Sequence, residues 1–235
     1  MVPDSRNQIL SALSPADLNI IKQHLTNTLL EQGHVLFEQD QFMKHFYFPS
    51  EGMVSLISPL EDGRSIELAA VGREGVVGAA LAGGTGHAPM TAIVQVAGKG
   101  SRIEVEYFHA ALNASASLRA VIGHHSEALL AQVARTVACN AMHSADARLC
   151  RWLLMVHDRV DGDALHLTQE FLAQMLGVQR TTVTLVARSL QTAGLIKYHR
   201  GHIEILDRDG LEDAACPCYS INRRHFDRLM SLRPT

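Results

Sequence analysis

Apolar positions change their period along this chain, and each change predicts a different element. Ser14 and Pro15 followed by Leu18, Ile21 and Leu25 predict a short capped helix, with proline at the first helical position where its missing N–H costs nothing. From about Val35 to Glu106 the apolar runs become short and β-like: Val35 to Phe37, His45 to Phe48, Met53 to Ile57, Ile66 to Leu68 and Ile93 to Val96. Turn residues divide them, Glu61-Asp62-Gly63-Arg64 being a good hairpin turn. Short strands at regular spacing predict a small barrel or jelly roll rather than a parallel sheet. After Tyr107 the glycines nearly vanish, and Leu118, Ile122, His125, Leu129, Gln132, Thr136 and Cys139 recur close to a heptad. One long helix is expected over about residues 116–140. A second stripe of Val121, Ala128, Val133 and Val137 makes it two-faced, able to pack on the barrel and on another subunit at once. We assign Leu118, Ile122, His125, Leu129, Gln132 and Thr136 to the dimerisation seam.

A break near Asn140 to Ser144 sets the expected domain boundary, dividing the chain into residues 1–143 and 144–235. Beyond it Ala147, Leu149, Leu153, Leu154 and Val156 predict a supporting helix. Thr168 is then an N-cap, Glu170 favours the positive helix end, and Phe171, Leu172 and Leu176 form an inward stripe before Gly177 ends the helix. A second helix starts near Gln179, with Val183, Val186, Ala187 and Leu190 on one face and Thr181, Leu185, Arg188 and Thr192 on the other. A small hairpin follows through Ile205. Two short helices joined by a glycine turn and followed by a hairpin make the layout of a winged helix-turn-helix. The tail, with Arg223, Arg224, Phe226 and Leu229, reads as a last helix or two packing back on this domain.

With 235 residues, 47% of them hydrophobic, the chain can bury a substantial core. Its net charge of −3 does not advertise a polyanion partner, so local charge decides. From Phe171 through Ile203 there is no Asp or Glu, while Arg180, Arg188, Lys197 and Arg200 are basic and His199 and His202 can add to them. That stretch suits a polyanion. No charged n-region precedes an apolar run, and none approaches the roughly 18 to 20 apolar residues of a membrane helix, so a cytoplasmic protein with no membrane partner is expected. The four cysteines, none before Cys139, read as thiols rather than a disulfide framework. Cys216-Pro217-Cys218 offers two ligands, which do not make a tetrahedral site, so no metal site is assigned. The thirteen histidines are scattered, and His124 and His125 face different ways on a helix. No enzyme is expected.

In the order β-rich sensor, long helix, winged helix-turn-helix, the chain resembles the Crp/Fnr family of bacterial transcription regulators. The resemblance is strongest over Leu167-Thr168-Gln169-Glu170, Gly177-Val178-Gln179-Arg180-Thr181-Thr182-Val183 and Gly194-Leu195-Ile196. It implies an α+β fold: an N-terminal β-roll sensor of the cyclic-nucleotide-binding, jelly-roll-like kind, a long dimerisation helix and a C-terminal winged helix-turn-helix. It implies double-stranded DNA and a second copy of the chain as partners, with RNA polymerase a candidate third. The DNA-binding residues would be Thr168, Gln179, Arg180, Thr181, Thr182, Thr184, Leu185, Arg188, His199 and Arg200.

Family members read DNA with Arg, Glu, two intervening residues, Gly or Ser, then Arg. Here those positions are Arg180, Thr181, Thr184 and Leu185, so Arg180 can meet guanine or phosphate while the acidic residue and second arginine are absent. The family's common operator is therefore not expected, and Leu185 could instead meet a thymine methyl. The effector pocket falls at Gly78, Ala79, Leu81, Met90 and Thr91. Where cyclic-nucleotide binders carry Glu for the ribose and Arg for the phosphate, this chain has Gly78-Ala79-Ala80-Leu81 and Met90-Thr91-Ala92. A half-buried phosphate with no cation loses several kcal/mol of charge-assisted bonding, so cyclic AMP is not the expected ligand. Backbone amides near Gly78, Gly83 and Gly84 are the remaining way to hold one. Cysteines for an iron–sulfur cluster are absent from the sensor half, and His34, His45 and His87 sit in no haem pattern. No cofactor is identifiable and the effector is unknown. The function expected is a homodimeric regulator on a palindromic operator. The alternative is a ligand-binding module acting through protein–protein contacts, whose mark would be an intact phosphate cassette.

Overall fold

The computed structural model describes residues 6–81 and 86–231. Two short helices open it, α1 (Gln8–Ala12) and α2 (Pro15–Lys22), capped by the Asn7 and Ser14 side chains. The antiparallel sheet that follows contains β1 (Thr26–Leu30), β2 (Val35–Phe37), β3 (His45–Pro59), β4 (Ser65–Val71) and β5 (Thr91–Glu104). Its order is β1-β5-β3-β4, with β2 pairing beside the first half of β5. Two of the expected strands, His45 to Phe48 and Met53 to Ile57, are one strand. Its register against β5 shifts at Pro49, Glu51 and Met53, and bulges of this kind bend a strand so that it serves both halves of a roll. Glycine is required at the bend: Gly52 has φ +87°, and a Cβ on Gly98 would collide with the Glu51 carbonyl oxygen. Phe46, Phe48, Val54, Val94 and Ile103 fill the roll.

After α3 (Val105–Ala114) comes α4 (Ala116–Met142), 27 residues and about 40 Å long. Ser115 caps it and donates to Asp17 at 2.5 Å, which ties it to α2. The heptad read from the sequence is its inner face. Leu118, Ile122, His125, Leu129 and Thr136 are all buried within their own chain, on the roll or against the C-terminal helix. The half-buried Gln132 accepts from the Ala70 amide at 2.7 Å. The expected seam is corrected accordingly: Leu118, Ile122, His125, Leu129 and Thr136, already buried by their own chain, have no surface left for a second subunit, and Gln132 keeps only part of its own.

The C-terminal region comprises α5 (Ala145–His157), β6 (Ala164–His166), α6 (Gln169–Leu176), α7 (Arg180–Thr192), β7 (Ile196–His199), β8 (His202–Ile205), α8 (Arg208–Ala214) and α9 (Cys218–Ser231). The hairpin β7–β8 gains a third strand, giving the order β6-β8-β7. Trp152, Leu153, Leu172, Val183, Leu190 and Ile203 form its core, which is continuous with Met53, Ile57 and Ala70 of the roll. Polar bonds reinforce that junction. Trp152 Nε1 donates to Glu67 at 3.1 Å, Ser55 also donates to Glu67, and Arg159 pairs with Glu74 at 2.6 Å. Burial pushes the Glu67 carboxyl up, against those hydrogen bonds.

Candidate DNA-binding face and sensor pocket

The helix pair is set by its caps. Thr168 Oγ1 accepts from the Phe171 amide at 3.3 Å and starts α6. Gly177, at φ 61° and ψ 38°, ends it in the left-handed conformation and turns the chain into α7. Val183, Val186, Ala187 and Leu190 bury one side of α7. The other side is open: Gln179, Arg180, Thr181, Leu185 and Arg188 are exposed, Leu185 by 66%. Thr182 is half-buried. Thr184 is half-buried too, and its hydroxyl lies 2.9 Å from Gln169 Oε1 and 3.0 Å from the Arg180 carbonyl, so it joins the two helices.

No carboxylate pairs with Arg180, Arg188 or Arg200 among the described residues, while Lys197 faces Glu204 across the wing at 3.9 Å. The first turn of α7 has no acidic residue, so its positive helix end adds to the basic face. Arg200 (φ 46°) and Gly201 (φ 82°) form the wing tip, both with positive φ as a two-residue primed turn requires. His199 and Arg200 are exposed there, and the Leu167 amide donates to the Gly201 carbonyl at 2.7 Å, fixing the tip beside the start of α6.

The expected sensor pocket is built differently. Gly78 (φ +95°) is buried, and a Cβ on it would lie 2.6 Å from Met43 Sδ. Ala79 is 2% exposed and shares the roll's apolar cluster, against which Met90 packs. The Thr91 hydroxyl accepts from the Gln39 amide at 3.0 Å. Leu81 ends a 3-10 turn that begins at Ala79. Gly83 and Gly84 lie outside the described residues. A cavity of about 290 Å³ opens elsewhere, where β4, α4, α5 and α9 meet, lined among others by Arg73, Glu74, His125, Gln132, Arg159 and Arg223.

Comparison with known families finds the cyclic nucleotide-binding domain over residues 28–115 and the Crp-like helix-turn-helix domain over residues 147–214. The chain belongs to the Crp/Fnr family of transcription regulators. Solved structures share the fold. FixK2 from Bradyrhizobium japonicum is 17% identical, with 82% of this chain and 98% of that one covered and a TM-score of 0.69. Two Thermus thermophilus proteins, the CRP-family regulator TTHB099 and the CRP/FNR-family regulator TTHA1359, are each 22% identical with a TM-score of 0.64. They cover 80% and 81% of this chain, and 96% and 98% of their own lengths are matched. No curated protein sequence matches.

As a Crp/Fnr protein the chain is a DNA-binding transcription regulator and not an enzyme. Among the described residues no helix is long and apolar enough to cross a membrane. Two features of this Crp/Fnr chain escaped sequence reasoning. The inter-domain bonds of Glu67 and Trp152 join positions 85 apart, and no local pattern signals such a pair. Cys139 and His143 meet Cys216 and Cys218, so the Cys-Pro-Cys pair does not stand alone. The four-residue spacing of Cys139 and His143 on one helix was the available signal.

Proposed function

We propose that the protein acts as a homodimer on an inverted-repeat operator, with residues 1–143 as the sensor and dimerisation half and residues 144–235 as the DNA-binding half. The observation that carries the reading is the outward face of α7, where arginines unpaired with any carboxylate among the described residues stand beside exposed Thr181 and Leu185. Such a face suits the major groove: Arg180 at a guanine edge or phosphate, Leu185 at a thymine methyl, and Arg188, His199 and Arg200 on backbone phosphates. Thr168 and Thr182 line the entry to the groove, while Thr184 holds α7 on α6 rather than reading bases.

The second subunit packs on the outer face of α4. Gly123, Glu127, Leu130, Ala134, Val137 and Ala141 follow one another at steps of four and three, and Leu130 and Val137 are 69% and 61% exposed. Small residues allow close approach, and two large exposed apolar side chains supply the burial. Two-fold pairing along this stripe puts two copies of α7 in successive major grooves on one DNA face, about 34 Å apart. RNA polymerase is a further partner of a protein so placed, and the cytoplasm its compartment. The apolar filling around Ala79 and Met90, with no cation among the pocket residues, supports a regulator that does not depend on cyclic AMP.

Titration of a labelled duplex with the full chain at rising salt tests the reading. Counterion release predicts that log affinity falls linearly with log salt. Flat affinity for every duplex, or no binding at all, would overturn it.

A further inference from the structure

The end of α4 meets the start of α9 at side chains that DNA binding does not use. Cys139 lies on the last turn of α4 and His143 is its C-cap residue, so the two share one side of the helix end. Cys216 and Cys218 flank Pro217 where the chain enters α9. The three Sγ atoms and one imidazole nitrogen all lie within 4.8 Å of one another. Cys139 Sγ is 3.4 Å from Cys216 Sγ, and Cys218 Sγ is 3.6 Å from His143 Nδ1. All three cysteines are buried and His143 is half-buried.

Two of the six separations match the edges of a small tetrahedron, and the other four are no longer than 4.8 Å. Around zinc, with Zn–S near 2.3 Å and Zn–N near 2.0 Å, sulfur–sulfur edges are about 3.8 Å and sulfur–nitrogen edges about 3.5 Å. A disulfide would need its sulfurs at about 2.05 Å and would leave Cys218 and His143 without a role. An iron–sulfur cluster inserts several atoms between its ligands and spreads them wider than this.

Arg151 gives a second, independent indication. It is 3% exposed, its Nε and Nη1 are buried with no hydrogen-bond partner, and its charge acts on the buried Glu67 carboxyl as well as on Cys139, Cys216 and Cys218. Three thiolates and a neutral imidazole around a divalent cation leave one net negative charge. A buried guanidinium with two unbonded nitrogens is costly, and beside the Glu67 carboxyl this one has the cysteine group within reach, where the site's net negative charge would help to balance it.

We propose that Cys139, His143, Cys216 and Cys218 bind one zinc ion in a closed, four-coordinate structural site. Binding converts three thiols to thiolates and releases their three protons to solvent, with no change of oxidation state. All four positions are filled by protein, so no water is activated. The ion links the end of α4, next to Ser144 at the start of α5, to the entry of α9 across 77 residues of chain, and so ties the DNA-binding half to the long helix.

The test uses the full chain, reduced, loaded with zinc chloride and dialysed. About one zinc per chain should remain by elemental analysis, and Cys139→Ser or Cys218→Ser should bring it close to zero. Cys150→Ser, at the buried thiol outside the group, should leave it unchanged. Cobalt(II) in the unsubstituted protein should give the intense visible bands and thiolate charge transfer of a tetrahedral sulfur site, so the proposal remains testable if a serine variant does not fold. Absence of retained zinc, zinc that persists in a Cys139→Ser/Cys216→Ser chain, or a weak octahedral cobalt spectrum would each overturn it.

Discussion

The roll and the winged helix region dispose of their polar groups in opposite ways. Most of the polar groups buried in the roll are spent within the protein, Thr91 on the Gln39 amide, Asn7 on the Pro49 and Gly75 carbonyls, Glu67 on Ser55 and on Trp152 of the neighbouring region, with both polar side-chain atoms of the buried Gln95 as an exception. On α7 and the wing the guanidinium groups of Arg180, Arg188 and Arg200 face solvent with no carboxylate beside them among the described residues. Internal bonds build a scaffold, because a satisfied group has little left to offer a ligand. Outward groups are available to a partner. Between the two regions α4 follows both rules at once, with its inner face consumed by the fold and its outer face left open.

Adjacent leucines on α4 give the largest contrast. Leu129 is 7% exposed in the core and Leu130 is 69% exposed on the outer face. Leu129→Glu should cost about 4 kcal/mol or more, since it buries an unpaired charge, and should leave little folded protein. Leu130→Glu should fold with an unchanged melting temperature at dilute concentration yet sediment as a monomer, because like charges would meet at the two-fold seam. A folded, monomeric Leu129→Glu protein would return the seam to the inner face.

The buried side of α4 should also report pH. His125 Nε2 accepts from the Val76 amide at 3.3 Å, its Nδ1 is buried with no partner, and burial pushes its pKa down from 6.5 to about 4 against the pull of Glu74. The folded state therefore binds fewer protons than the unfolded state between those values. This stability is complete above pH 6.5 and is lost as pH falls toward 4, by about 3 kcal/mol over the window. Denaturant midpoints at several pH values measure it, and His125→Gln should flatten the dependence.

On the open side, Arg180→Ala should cost about 1 to 3 kcal/mol of specific binding and relax preference at one position of each half-site. Competition with variant duplexes measures this, and an equal loss on random DNA would make Arg180 a phosphate contact. The smallest effect is expected where the roll has closed its chemistry. Cyclic AMP or cyclic GMP should not shift the melting temperature, whereas a ligand at a hundred times its dissociation constant would add about 2.7 kcal/mol.

The same contrast explains what the sequence made legible. The helix-turn-helix could be read because Thr168, Gly177 and the period of Val183, Val186 and Leu190 are local signals, and the acid-free window marks a surface. The roll's strands were located but cut at Gly52, because a bulge depends on the partner strand, which sequence spacing does not show. Both α4 stripes read from the sequence lie mainly on the covered side, since Val121 and Ala128 are buried and Val133 packs on the roll; of the second stripe Val137 alone belongs to the exposed face. Gly123, Glu127 and Ala134 hid that face behind small and charged residues. Cys139 and His143 stayed unconnected to Cys216 because the chain closes that group only in three dimensions.

Selection of bound fragments from random DNA with the purified full chain tests the central claim most directly. The account predicts enrichment of an inverted repeat whose half-sites lie about one helical turn apart, around 34 Å, with a sequence different from the family's common operator. Enrichment of a single unrepeated site, or of no sequence at all, would contradict it.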